Sequence, residues 1–286
     1  MPRVTTDGAV PATAPGHGRA GRDLRAATAV GLGLALLVVG TLLVWKPAFV
    51  GLAVVAVAMA VWELGQALAA RGIRVPLVPV MLGSVLMLVG AYAGGYQTLV
   101  VALGLTVVAV LVWRLGERDH GYVRDVTAGV FVAVYVPFLA GFAVLLVRPE
   151  DGPWRVLTCI LVVAASDTGG YVAGVLAGRH PMAPTVSPKK SWEGFGGSVV
   201  ACVAVGMAAV TVLLDGSWWA GAVLGGAAVL TATLGDLGES MIKRDLGIKD
   251  MSTLLPGHGG IMDRLDSLLP TAPIAWIVLT ALVPVS

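Results

Sequence analysis

Six carboxylates and four cations fall between residues 236 and 266, the acids including Asp236, Glu239, Asp263 and Asp266 and the cations being Lys243, Arg244, Lys249 and Arg264. Asp236, Glu239, Ser240, Lys243 and Arg244 are spaced i, i+3, i+4, i+7 and i+8, so a helix carries them on one broad face, acids first and cations toward its end. An i,i+4 pair between Glu239 and Lys243 is the purely structural alternative. It leaves Asp236 unexplained, because the residue four positions on, Ser240, is neutral. Beyond Lys249 and Asp250 comes the run Pro256, Gly257, His258, Gly259, Gly260, whose glycines let a backbone close around an anion with its amides turned inward. Asp263 and Asp266 follow at i and i+3. Hard oxygen ligands of this kind suit Mg²⁺, which typically binds through one or two carboxylates together with substrate phosphates.

A second stretch repeats the theme. Ser166, Asp167 and Thr168 precede Gly169, Gly170 and Tyr171, and Ser187, Pro188, Lys189, Lys190 and Ser191 run into Trp192, Glu193 and Gly194, read as a stop after the lysines. Two lysines at a membrane surface also attract anionic lipid. Beside carboxylates and a glycine loop they describe a site for Mg²⁺ and phosphate groups.

The elements that hold these residues follow from composition. Of the 286 residues 57% are hydrophobic and only 13% charged, against about 25% charged in soluble domains, so the chain is expected to lie in a lipid bilayer. Residues 1–25, rich in Pro, Gly, Ala and Arg, read as a disordered cytoplasmic tail. Continuous apolar runs without strict alternation mean helices, because lipid leaves no other partner for the backbone. The expected fold is all-α, with about nine transmembrane helices near 26–45, 48–70, 75–94, 96–115, 126–147, 154–177, 198–215, 219–242 and 264–284. Four form an N-terminal unit, 26–115, and five a catalytic unit, 116–286. With the N-terminus cytoplasmic, all but three of the 19 Lys and Arg (Lys46, Arg148 and Arg155) fall inside, as the positive-inside rule asks. The C-terminus is then outside. Cys159 and Cys202 lie in apolar runs and form no metal-binding pattern, and the near-neutral net charge argues against a nucleic-acid partner. Gly170, Gly174 and Gly178 make a small-residue stripe for close helix packing, which also permits a homodimer. Glu63 stands alone in the second helix, beside Trp62, and is expected to pair with a basic or polar group. An acid at a helix centre costs on the order of 3 kcal/mol to insert, so the clustering of acids near the cytoplasmic ends of the last four helices is informative.

At these residues the sequence resembles the phosphatidate cytidylyltransferase (CDP-diacylglycerol synthase) family of integral membrane enzymes. Ser240, Lys243, Arg244, Lys249, Asp250, His258, Gly259, Gly260, Asp263, Arg264 and Asp266 match its diagnostic stretch, and the block from Ser166 to Gly194 matches a second one, with Gly170 for Ala and Ser191 for Thr. The resemblance spans roughly residues 120–286. It implies transfer of the CMP moiety of CTP to phosphatidate, giving CDP-diacylglycerol and pyrophosphate for phospholipid synthesis, by a multi-pass plasma-membrane enzyme whose active site faces the cytoplasm. On that basis Asp236, Asp263 and Asp266 are expected to hold Mg²⁺, with room for a second cation, and Glu239 to support them. Lys243, Arg244, Lys249 and Arg264 are expected on the CTP phosphates, with Ser240 nearby and the amides of His258, Gly259 and Gly260 as donors. Asp167, Lys189 and Lys190 would complete the site, the lysines at either the lipid phosphate or the departing pyrophosphate. Two rivals fit less well. A CDP-alcohol phosphotransferase would carry its own aspartate pattern, absent here, and an ion-coupled transporter would place broken helices at matching points of two halves.

Overall fold

A computed structural model describes residues 24–116, 120–252, 254 and 259–285. Its helices are α1 (Leu24–Val44), α2 (Lys46–Ala69), α3 (Leu77–Gly94), α4 (Tyr96–Gly116), α5 (Tyr122–Ala133), α6 (Leu139–Val147), α7 (Gly152–Ala177), α8 (Trp192–Leu213), α9 (Trp218–Leu246), α10 (Met262–Leu265) and α11 (Leu268–Leu282). Taken with their continuations, α2 to α11 supply eight segments long and apolar enough to cross a membrane, and α1, with a shorter apolar part at Gly31–Val44, precedes them. Among the described residues the expected count of about nine stands, and the chain is a multi-pass membrane protein.

Two spans are interrupted for identifiable reasons. Between α5 and α6 the chain makes a π-helical turn, Val134–Phe138, around Pro137, whose ring and missing N–H oppose regular α-helical bonding. Between α10 and α11 the helix breaks at Asp266–Ser267, where Pro270 has no N–H to offer the Asp266 carbonyl four residues earlier.

Two features depart from the sequence reading. A small antiparallel hairpin, β1 (Pro181–Ala183) and β2 (Ser187–Ser191), joins α7 to α8, an addition to the all-α expectation. The helix expected from residue 198 starts earlier: Trp192, Glu193 and Gly194 follow directly on the end of β2 and are the first turn of α8, where the Ser191 hydroxyl accepts from the Gly194 amide at 3.1 Å. That N-cap satisfies one of the orphan donors of the helix start.

Glycine sets the packing of α7, α8 and α9. A methyl group at Gly197 would come within 2.6 Å of the Gly169 carbonyl, and one at Gly194 within 3.0 Å of the Gly170 carbonyl. The glycine stripe of α7 is thus taken up inside the chain against α8. Gly206 and Gly221 do the same for α8 against α9.

Two buried ion pairs away from the motif residues are completed by backbone groups. Arg155 bonds Asp151 at 2.8 Å and donates to the carbonyls of Leu279 and Val283 at the end of α11. Arg114 bonds Asp125 at 2.9 Å, joining α4 to α5, and Asp125 also accepts from the Arg74 amide. Each keeps charge in an apolar interior by giving it partners.

Candidate active site

The expected acid-and-base face forms on α9. Glu239 is 1% exposed, and its Oε2 lies 2.5 Å from Lys243 Nζ, the i,i+4 pair that local spacing permits. The same ammonium also reaches Asp263 Oδ1 at 2.6 Å, across from α10. Asp263 accepts from the amides of Met251 and Gly260 as well, at 3.1 and 2.6 Å. Lys243 and Asp263 therefore tie α9, the loop after it and α10 into one unit. The loop starts from a defined point: Gly247 has φ +61°, its amide donates to the Arg244 carbonyl, and the Ile248 amide donates to the Lys243 carbonyl. This is a Schellman ending, which uses a left-handed glycine to satisfy the last carbonyls of a helix.

The two motif blocks meet. Lys190 on β2 places its Nζ 2.5 Å from Asp236 Oδ2 on α9. Asp167 on α7 lies within electrostatic reach of Lys190, Asp236 and Arg264, and Asp266 within reach of Asp236, Asp167 and Lys243. A cavity of about 310 Å³ opens here, lined by Asp167, Lys189, Lys190, Ser198 and Asp236 among others. The hairpin that presents the lysines is held at both ends. Arg244 Nε donates to the Val186 carbonyl at 2.5 Å, and Glu193 accepts from the Arg179 and His180 amides and contacts the His180 ring.

The expected residues thus have distinct places. Asp167, Lys190, Asp236, Glu239, Lys243, Asp263 and Asp266 come together, and Lys189 lines the cavity. The Gly260 amide serves Asp263, while Gly259 holds φ +82° just before it. Arg244 is engaged by the hairpin, Lys249 lies exposed at the start of the loop, Ser240 is half-buried on α9, and Arg264 is exposed on α10. His258 lies outside the described residues.

The three carboxylates expected to bind metal do not converge on one point: Asp236 faces Lys190, Asp263 faces Lys243, and Asp266 accepts from the Ser267 amide at 2.6 Å. Among the described residues no three His, Cys, Asp or Glu side chains form a cage for an ion. The donor set nonetheless fits a divalent cation shared with phosphate oxygens. Glu239 Oε1 is buried and, among the described residues, has no hydrogen-bond partner; it lies within reach of the charges of Asp263 and Asp266. A buried carboxylate oxygen left so is costly unless positive charge is supplied.

Two further residues lie at or beside the site, Tyr135, which the sequence reading did not single out, and Glu63, which it did. Tyr135, on the π-helical turn, has a buried hydroxyl without a hydrogen-bond partner among the described residues, within reach of Glu239, Asp266 and Asp236. The other is Glu63, whose expected basic or polar partner is the Ser252 hydroxyl together with the Ile261 and Met262 amides. A proline-disturbed turn was the available signal for Tyr135, since such turns gather at functional sites.

Comparison with known proteins agrees with the motifs and extends them. Phosphatidate cytidylyltransferase of Mycobacterium bovis is 45% identical over 277 residues, 92% of this chain and 90% of that protein. That of Mycobacterium leprae is 44% identical over 288 residues, with the same shares covered. Phosphatidate cytidylyltransferase 4, chloroplastic, of Arabidopsis thaliana is 32% identical over 212 residues, 65% of this chain and 53% of its own. The similarity is not confined to residues 120–286, as the motifs alone implied, because the cytidylyltransferase family profile matches residues 25–282 and takes in the N-terminal helices. With both motif blocks at one helix-end site and a match over nearly its whole length, the chain belongs to the cytidylyltransferase family.

Proposed function

We propose that this protein is a phosphatidate cytidylyltransferase, joining CTP and phosphatidate into CDP-diacylglycerol and releasing pyrophosphate. The observation that carries the reading is the Lys190–Asp236 pair, which sets the hairpin lysines beside the α9 and α10 carboxylates. A phosphate-binding block and a carboxylate block thereby serve one reaction centre at the end of a membrane bundle, where a bilayer lipid and a soluble nucleotide can meet. By the positive-inside rule that end faces the cytoplasm, and the membrane is the plasma membrane.

The chemistry asks little of a general base. A phosphate monoester has a second pKa of about 6, so phosphatidate is largely dianionic near neutral pH. One of its oxygens attacks the α-phosphorus of CTP, the bond from that phosphorus to the bridging oxygen of the β-phosphate breaks, and pyrophosphate leaves with the electron pair. The barrier lies in bringing two polyanions into line. Lys189 and Lys190 receive one phosphate group from the hairpin side. Lys243, Lys249 and Arg264 meet the nucleotide phosphates from the α9 and α10 side, and the Gly259–Gly260 backbone adds amide donors. Asp236, Asp263 and Asp266, with the free oxygen of Glu239, would hold Mg²⁺, which when bound neutralises charge on the transferring phosphoryl group. Arg244 keeps the hairpin in register.

The test is conversion of radiolabelled CTP and phosphatidate in detergent micelles by the purified protein, with pyrophosphate measured in parallel. Stoichiometric lipid product and pyrophosphate are expected, both dependent on Mg²⁺. CTP that is neither bound nor consumed when phosphatidate is present would refute the proposal.

A further inference from the structure

Glu63 lies on α2, far in sequence from both motif blocks, and is 1% exposed. Among the described residues its carboxylate meets no cation within ion-pair distance. Oε1 accepts from the Ser252 hydroxyl at 2.6 Å and the Ile261 amide at 3.0 Å, and Oε2 accepts from the Met262 amide at 2.9 Å. Both oxygens act only as acceptors, and both point at the first amides of α10. A carboxylate at the start of a helical turn satisfies donors that have no partner within the turn. Here it comes from another helix. The backbone is pressed against it, since a methyl group on Gly260 would come within 2.5 Å of Glu63 Oε2.

The other end of the same connection is held from the same place. Arg71, in the turn just after α2, donates to the Leu246 carbonyl through Nε at 2.8 Å and Nη2 at 2.6 Å, gripping α9 where its helical bonds end. The α2 end therefore fixes both the exit from α9 and the entry to α10. Between these anchors in sequence lie the Gly260 and Met251 amides that orient Asp263, and the Lys243–Asp263 pair flanks them.

We infer that Glu63 is a positioning residue for the reaction: it holds residues 260–263 so that Asp263 stays directed at Lys243 and the phosphate-binding site. The inference rests on the reading of Asp263 and Lys243 as part of the nucleotide site. A residue acting through such support typically changes activity 10- to 100-fold when altered. Glu63→Gln keeps the shape and replaces one acceptor by an amide that faces an N–H donor. It should lower kcat/KM for CTP by on the order of 10- to 100-fold, raise the Mg²⁺ concentration for half-maximal rate, and leave the KM for phosphatidate unchanged. Backbone hydrogen exchange at Ile261 and Met262 should accelerate in the same variant, while exchange in α7 and α8 stays as in the wild type.

Unchanged exchange, unchanged turnover or an equal loss for both substrates in Glu63→Gln would overturn the inference. Faster exchange with normal CTP kinetics would overturn it too, by showing a clamp on a turn that does not serve the nucleotide. Should Glu63→Gln fail to fold, Ser252→Ala, which removes one donor at a half-buried position, must show the same two effects at several-fold size. Absence of CTP-dependent turnover in the wild type would remove the proposed function itself, while the exchange measurement would still report on the clamp.

Discussion

Replacing Lys243 by Met tests how the site balances its charge. The Lys243 ammonium touches Glu239 and Asp263 at 2.5 and 2.6 Å, and those side chains are 1% and 6% exposed. Removing one partner of a buried ion pair costs about 3–5 kcal/mol, because the remaining charge is left in a medium that solvates it poorly. Asp263 would keep its two amide donors, whereas Glu239 would lose the one cation it pairs with among the described residues. The expected cost is therefore near the lower end, about 3 kcal/mol, a change of roughly 100-fold in the folding equilibrium. Adding Glu239→Gln neutralises the stranded carboxylate and should restore most of that stability while turnover stays low. The measurement is SDS-driven unfolding in mixed micelles, followed by tryptophan fluorescence, with CTP turnover alongside. A single variant within about 0.5 kcal/mol of the wild type, or a double variant no more stable than the single, would refute the charge argument.

Other expectations follow from the same geometry. Asp263→Asn should cut turnover at least about 100-fold and raise the Mg²⁺ requirement, read in a Mg²⁺ titration of pyrophosphate release; near-normal activity at ordinary Mg²⁺ would sink the metal assignment. Ser191→Ala removes the cap of α8 and should cost about 1 kcal/mol, with a larger loss of turnover because the preceding residue is Lys190; the comparison is unfolding against kcat. Arg155→Met strands Asp151 and uncaps the end of α11, so stability should fall by about 3 kcal/mol while turnover per folded molecule is unchanged, which active-site titration checks.

The helices were legible because the bilayer demands long apolar runs, and the limits read for α3, α4 and α7 fall within a few residues of those observed. The start of α8 was misplaced because its first turn is Trp192, Glu193 and Gly194, which breaks the apolar run although Ser191 supplies a regular N-cap. The hairpin escaped because its strands are three and five residues long and show no alternation. At the site, the Glu239–Lys243 pair follows from spacing. The Lys190–Asp236 and Lys243–Asp263 pairs do not, since they join separate elements and depend on how α7, α8 and α9 pack. Glu63 was visible as a costly acid, but its partners are a serine hydroxyl and two backbone amides, and backbone amides leave no mark in a sequence.

That contrast separates the charges that hold the fold from those that act. Arg155 with Asp151, and Arg114 with Asp125, combine one cation and one carboxylate with backbone groups that complete the set. Glu63 likewise ends with both oxygens occupied. The cluster on α7, α9 and α10 is different. Five acids, Asp167, Asp236, Glu239, Asp263 and Asp266, gather around Lys190, Lys243 and Arg264, and one buried Glu239 oxygen has no donor among the described residues. A membrane interior penalises such an excess of negative charge. Structural pairing would have removed it as it did at Arg155 and Arg114. Its persistence beside the exposed cations Lys189 and Lys249 is what a site needs if positive metal and negative phosphate are to arrive together: carboxylates short of positive charge on one side, and lysines free to take the phosphates on the other.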